Sequence, residues 1–258
     1  MEKQANDRGE SSVNGTLDGH GGKSFRILIR FTLLELVIVV AVIAILMSFL
    51  LPALQKAKGT ALQIRCMNNL GQCGKAALMY ASDYDGLFQI GHANLDWTGE
   101  VTWIQFLYNN NYLRKGECFL CPNEKPNKPP YIFSSGGGCA YAYQSYGINA
   151  MAKAAAPDNT GIYVCPSTTS YENILRLYNV KQPTNFLLFA DSYRLSDDAQ
   201  GYTLSPWQAK LHLRHGSGEA GKANAQFVDG HVEASGIERL KECGWNDAYT
   251  KGHVAINF

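Results

Sequence analysis

Asp191, His212, His215, Asp229 and His231 fall close together in the last third of the chain. Imidazoles and carboxylates gathered at strand ends could bind a metal ion or carry out acid–base work. His215, Asp229 and His231 are the candidate ligands for such a centre. A structural reading stands beside that one. Asp229 suits a turn because its carboxylate can bond nearby backbone amides, and the two histidines can hold the same loop through ring hydrogen bonds. The thiols are the second reactive set. Cys118-x-x-Cys121 is the most closely spaced pair among seven cysteines. Zinc would need two further thiolates or imidazoles, commonly as a second close pair, whereas Cys139 and Cys165 each stand alone. A redox site would want the motif at a helix start in a βαβ setting, which the flanking sequence lacks. Disulfides among Cys118, Cys121, Cys139 and Cys165 are therefore expected, with zinc as the other reading. Cys66 and Cys73 are seven residues apart on one face of a helical pattern and read as small packing residues.

Other signatures of catalysis are missing. The chain holds no Gly-x-Ser-x-Gly, no His-Glu-x-x-His and no Walker sequence. Gly136-Gly137-Gly138 is followed by no Lys-Ser/Thr, so it is a turn and not a phosphate loop. The expectation is a protein that is not an enzyme and has no cofactor. Net charge is +1 with 17% charged residues, which gives no signature for nucleic acid as a partner.

The elements that would position these residues begin with an apolar run. Leu33 to Leu51 contains nineteen residues and one charge, Glu35. As a helix it would span roughly 28 Å, close to the hydrocarbon thickness of a bilayer. A buried core helix and a signal peptide are the alternatives. The run is long for the first and lacks a clean small-x-small cleavage site for the second. Residues 1–30 are a polar leader ending in Lys23, Arg26 and Arg30, a basic flank that orients this end to the cytoplasm. Beyond Pro52, which is expected to kink the helix, apolar residues recur at three- to four-residue steps from Leu54 to Tyr84. This predicts one helix from about Phe31 to Tyr84, bare over 31–52 and amphipathic over 53–86. Asp83-Tyr84-Asp85-Gly86 ends it. A calcium loop there fails because its twelfth position is Asn94 and not Glu. Gly86 as a C-cap is the simpler reading.

Residues 87–258 read as the remaining domain. Trp103–Tyr108 suggests a short helix, Tyr141–Asn149 a strand, and Asn185–Ser192 a buried strand. Residues 193–211 suggest a polar loop. Ala225, Phe227 and Val232 around Asp229-Gly230 give the strongest hairpin signal in the chain. Residues 237–258 suggest a short helix followed by a tail.

Phe31-Thr32-Leu33-Leu34-Glu35 followed by an apolar run resembles the prepilin-type cleavage and methylation motif shared by type IV pilins and type II secretion pseudopilins. Counted from Phe31, Glu35 is the fifth residue and Pro52 the twenty-second, where the family has its glutamate and its helix-kinking proline. Leu78 to Phe88 is similar to the exit of a pseudopilin helix into its sheet. Arg214-His215, Asn224, Phe227 and Asp229-Gly230-His231-Val232 resemble the C-terminal signature of a large group of prepilin-motif proteins of unassigned role. The resemblance implies a pilin-like α+β fold, a long N-terminal helix packed on an antiparallel sheet with long loops. It implies cleavage before Phe31 and methylation by a prepilin peptidase, and assembly with other pilin-like subunits, Glu35 pairing with a neighbour's N-terminal amine. The residue before the cut is Arg30, where the family normally has Gly or Ala. A single-pass protein of a bacterial inner membrane with a periplasmic C-terminal domain follows. The other function to weigh is a membrane-tethered binding module that presents Trp97, Trp103 and Trp207. A metal-dependent exported enzyme at His215, Asp229 and His231 is a third.

Overall fold

The computed structural model describes residues 32–89, 93–94, 100–113, 118–123, 145–149, 163–164, 174–196, 198–204, 209–216 and 221–258. Helix α1 runs without a break from Leu33 to Asp83, with Pro52 inside it. Its start is set by a reciprocal cap. The Glu35 N–H donates to Thr32 Oγ1, while the Thr32 N–H and hydroxyl donate to the Glu35 carboxylate at 2.9 and 2.8 Å. Its end is set by Gly86, whose φ of +78° closes the turn as its N–H donates to Ala81 O. The helix is long and apolar enough to cross a membrane, and every side chain from Leu33 to Leu51 is exposed.

The rest of α1 changes character. Cys66, Asn69, Leu70, Cys73, Gly74, Ala76, Ala77 and Ala81 form a buried face of mostly small side chains. The chain continues through β1 (Leu87–Gln89), β2 (Ala93–Asn94), β3 (Glu100–Val101) and α2 (Trp103–Asn109). Then come β4 (Gly147–Asn149), β5 (Tyr163–Val164), β6 (Ile174–Arg176), β7 (Leu187–Ala190), β8 (Ser192–Tyr193) and β9 (Thr203–Leu204). The last elements are β10 (Lys210–Leu213), β11 (Ala223–Phe227), β12 (Val232–Ser235), α3 (Ile237–Glu242), β13 (Asp247–Thr250) and β14 (Ala255–Asn257). The fold is α+β.

The central sheet has the order β12-β11-β7-β4-β9, and a second sheet has the order β14-β13-β10-β8. Strand β11 shows why the central sheet is covered on both faces. Side chains alternate along a strand. Ala223, Ala225 and Phe227 enter one core with Leu211, Leu213, Leu240 and Trp245. Asn224 and Gln226, between them, meet Gln63 and the Gly74 position of α1. The α1 side of the sheet holds the other core, with Leu70, Trp103, Tyr146, Ile148 and Phe189.

Three expectations need correction. The central and second sheets are mixed, since β4–β9 and β10–β13 are parallel pairs, while the small β1-β6-β5 and β2-β3 sheets are antiparallel. The stretch 193–211 is not only loop, because β9 extends the central sheet beside β4. The C-terminal tail is not irregular. Ala248 pairs with Leu211 and is fully buried, so β13 is part of the second core. The Asp229-Gly230 hairpin forms as expected, with Gln226 opposite Val232 and Gly230 at φ +94°.

Candidate functional site

Four side chains from four places in the chain converge inside the domain: Cys66 of α1, Cys121, Asp191 between β7 and β8, and His215 just after β10. Their ligand-type atoms all lie within 4.8 Å of one another, and all four residues are buried. Cys66 Sγ is 3.4 Å from Asp191 Oδ1, Cys121 Sγ is 3.3 Å from His215 Nε2, and His215 Nε2 is 3.2 Å from Asp191 Oδ2.

Local structure explains the placement of each. Cys66 is carried by the buried face of α1. Cys121 is held by its segment: Leu120 O accepts from Asn69 Nδ2 and the Tyr146 hydroxyl, and the Cys121 N–H donates to Gln200 Oε1 at 3.0 Å. Asp191 follows the last residue of β7. Its Oδ2 accepts the Asn224 N–H at 2.8 Å, and its own N–H donates to Asn224 O. His215 is pinned by reciprocal backbone bonds with Lys222. The Tyr146 hydroxyl lies 3.3 Å from Cys66 Sγ, and the buried Arg214 guanidinium approaches Asp191 at 4.0 Å.

The electrostatics follow from burial and close neighbours. Burial alone would raise the Asp191 pKa, yet His215, Arg214 and the Asn224 amide together hold it below the usual value. Burial disfavours a charged His215, but Asp191 and Cys121 outweigh it and raise its pKa to about 9. The Cys121 thiol is brought down to about 7, against burial, by bonds from Cys66 and His215 and by the charge of Arg214. Burial pushes the Cys66 thiol well up.

The arrangement is not a nucleophile–base–orienter triad. Such a triad uses both ring nitrogens, one toward the nucleophile and one toward the carboxylate. Here Nε2 alone faces both Cys121 and Asp191.

Cys66, Cys73, Cys118, Cys121 and Cys243 are free thiols. Cys118 and Cys121 are thus not joined to each other as the expected disulfide set allowed. Cys121 faces Cys66, and Cys118 faces Cys73, whose Sγ reaches Cys118 O at 3.3 Å. Cys139 and Cys165 lie outside the described residues, as do Arg30, Phe31, Trp97 and Trp207. Trp103 is 1% exposed, and its indole N–H is directed to Tyr146 O and Tyr202 O. It is a core residue and presents no surface to a ligand.

The trio His215, Asp229 and His231 is divided. Only His215 enters the buried cluster. His231 pairs with Asp229 across the exposed side of the hairpin, where the Asp229 carboxylate also accepts the His231 N–H. The His231 ring stacks on Phe227 at an interplanar angle of 2°. These contacts are those of a structured turn. Of the cleavage motif, Thr32, Leu33, Leu34 and Glu35 lie among the described residues.

No family model, curated protein or solved structure matches the chain.

Proposed function

We propose that the chain is a pilin-like structural subunit of a type II secretion or type IV pilus-like apparatus. One observation carries the reading. The single helix Leu33–Asp83 is exposed and apolar in its first part and has a small-residue face buried in the sheet domain in its last part. Such a helix can anchor and assemble through one end while it forms the spine of a folded domain through the other.

The motif residues supply the rest. A prepilin peptidase would cut before Phe31 on the cytoplasmic side and methylate the new amine. Glu35 would then be the fifth residue of the mature chain. A carboxylate at that depth of a bilayer costs on the order of 2.5–3.5 kcal/mol near mid-span and less near an end. The bonds from Thr32 meet part of that cost within the chain. The amine of a neighbouring subunit would meet the remainder and set the register. The domain after α1 would be periplasmic, and the role is assembly and not catalysis.

The test is the mass of the mature N-terminus in the native membrane fraction. N-methyl-Phe31 as the first residue is the expected result. A chain that begins at Met1 in every fraction would overturn processing, and with it the subunit reading.

A further inference from the structure

We propose that Cys66, Cys121, Asp191 and His215 form a structural zinc site that ties α1 to the sheet. The argument rests on convergence. Zinc in structural sites takes four protein donors in a tetrahedron, with sulfur at about 2.3 Å and nitrogen or oxygen at about 2.0–2.2 Å. Donors at those distances lie roughly 3.3–3.8 Å from one another. The Sγ–Oδ, Sγ–Nε2 and Nε2–Oδ separations here are 3.4, 3.3 and 3.2 Å. Three separations are therefore close to tetrahedral edges, the two to Asp191 reaching one carboxylate oxygen each, and one donor atom from each residue lies within 4.8 Å of the others.

The direction of the histidine adds a second argument. A hydrogen-bonded imidazole usually spreads its partners over two nitrogens, but His215 turns Nε2 alone toward both a thiol and a carboxylate. A shared point in front of Nε2 satisfies both. The donor set fits the metal: two sulfurs with an imidazole and a carboxylate suit zinc, whereas magnesium and calcium take oxygen. The surroundings fit as well. Asp191 is held by the Asn224 amide, and Tyr146 approaches Cys66 Sγ, as outer partners do in metal sites.

Charge balances on binding. Each thiol that holds a proton gives it up, and the His215 imidazolium releases one as well to bind as the neutral ring. Two thiolates and one carboxylate around Zn²⁺ leave one negative charge, which the buried Arg214 guanidinium offsets. All four donors come from the protein, so no position is left open for substrate, which makes the site structural. The site does not depend on whether the chain assembles.

The experiment uses the full chain, extracted in detergent and reduced, with Co²⁺ and Zn²⁺ salts as the probes. One equivalent of Co²⁺ should bind and give the intense visible bands of a tetrahedral thiolate site, and Zn²⁺ should abolish them. Cys121→Ser, Asp191→Asn and His215→Ala should each weaken binding at least tenfold. His215→Cys should keep binding and strengthen the sulfur-to-metal charge-transfer band, which separates loss of a ligand from loss of the fold. Cys73→Ala should bind as the parent does. No cobalt bands in a reduced chain with its native circular dichroism would overturn the proposal. So would a Cys66–Cys121 disulfide in chain isolated from membranes without reductant.

Discussion

Cys66 Sγ and Asp191 Oδ1 lie 3.4 Å apart, although 125 residues separate them in the chain. That contact joins the buried face of α1 to the end of β7. It places the cluster in the interface on which the domain is built, so side chains near it report on how helix and sheet fit together.

The fit is closest at Gly74. A Cβ there would run into the Gln226 side chain, which is itself buried and bonded to Phe227 O. Gly59, on the same helix, has nothing within 4 Å of the same added atom. Gly74→Ala should destabilise the domain by about 1–3 kcal/mol through overpacking. Gly59→Ala should stabilise it by up to about 1 kcal/mol through helix propensity. Urea unfolding of the detergent-solubilised chain, followed by tryptophan fluorescence, reads both. Equal effects of the same sign would contradict the packing described.

Glu35→Ala removes a carboxylate from the apolar end of α1. Membrane insertion should be unchanged or slightly easier, while cross-linking between copies should fall sharply. Resistance to carbonate extraction measures the first, and cysteine cross-linking of neighbouring subunits measures the second. Loss of insertion, or unchanged cross-linking, would remove the assembly role given to Glu35.

His212 provides a pH readout. Burial, with Arg214 and His253 adding to it, lowers its pKa to about 3, and Asp191 and Thr250 O only partly oppose the shift. Tyr193 and His253 cover its ring. Above the unfolded value of about 6.5, both states hold the ring neutral and the stability is complete. As pH falls below it, the unfolded chain takes a proton that the folded chain refuses. Stability should then drop by up to roughly 1.4 kcal/mol per pH unit toward pH 3. His212→Gln should flatten that slope between pH 6.5 and 5 in a comparison of urea midpoints. Parallel slopes for the two proteins would show that the ring titrates freely.

Among the described cysteines, Cys118 alone is not fully buried. A bond from Cys73 outweighs its partial burial and lowers its pKa. Brief iodoacetamide treatment of the native chain should alkylate Cys118 before Cys66, Cys73, Cys121 or Cys243. Peptide mass spectrometry gives the order. First labelling at Cys66 or Cys121 would mean that the cluster opens to solvent.

The sequence makes α1 legible because its pattern is local: an apolar run, then small residues at helical spacing. The hairpin is legible for the same reason, since Asp229-Gly230 specifies its own turn. Strand β9 is two residues long and leaves no alternation to read. Strand β13 has a local partner in β14, but its place in the second core comes from the parallel partner β10, some forty residues away. The cluster was half legible. His215 and Asp191 stood out as chemistry, and Cys118-x-x-Cys121 as a pair in need of a second pair. The thiols that Cys121 and Cys118 face are Cys66 and Cys73, seven residues apart on a helix, and of the four only Cys66 and Cys121 enter the cluster. The spacing reads as packing until the helix is laid against the Cys118–Cys121 segment.

The pairing of β13 with β10 bears on the order in which the chain can mature. Helix α1 is complete, and could enter a bilayer, once about the first third of the chain has been synthesised. His215 arrives much later, and Ala248 later still, so neither the cluster nor the second core can close until synthesis is nearly finished. Non-local closure of this kind is slow. A chain whose α1 had entered a bilayer would until then be held there with both still open, and a chaperone or protease that met it in that interval would act on a tethered substrate.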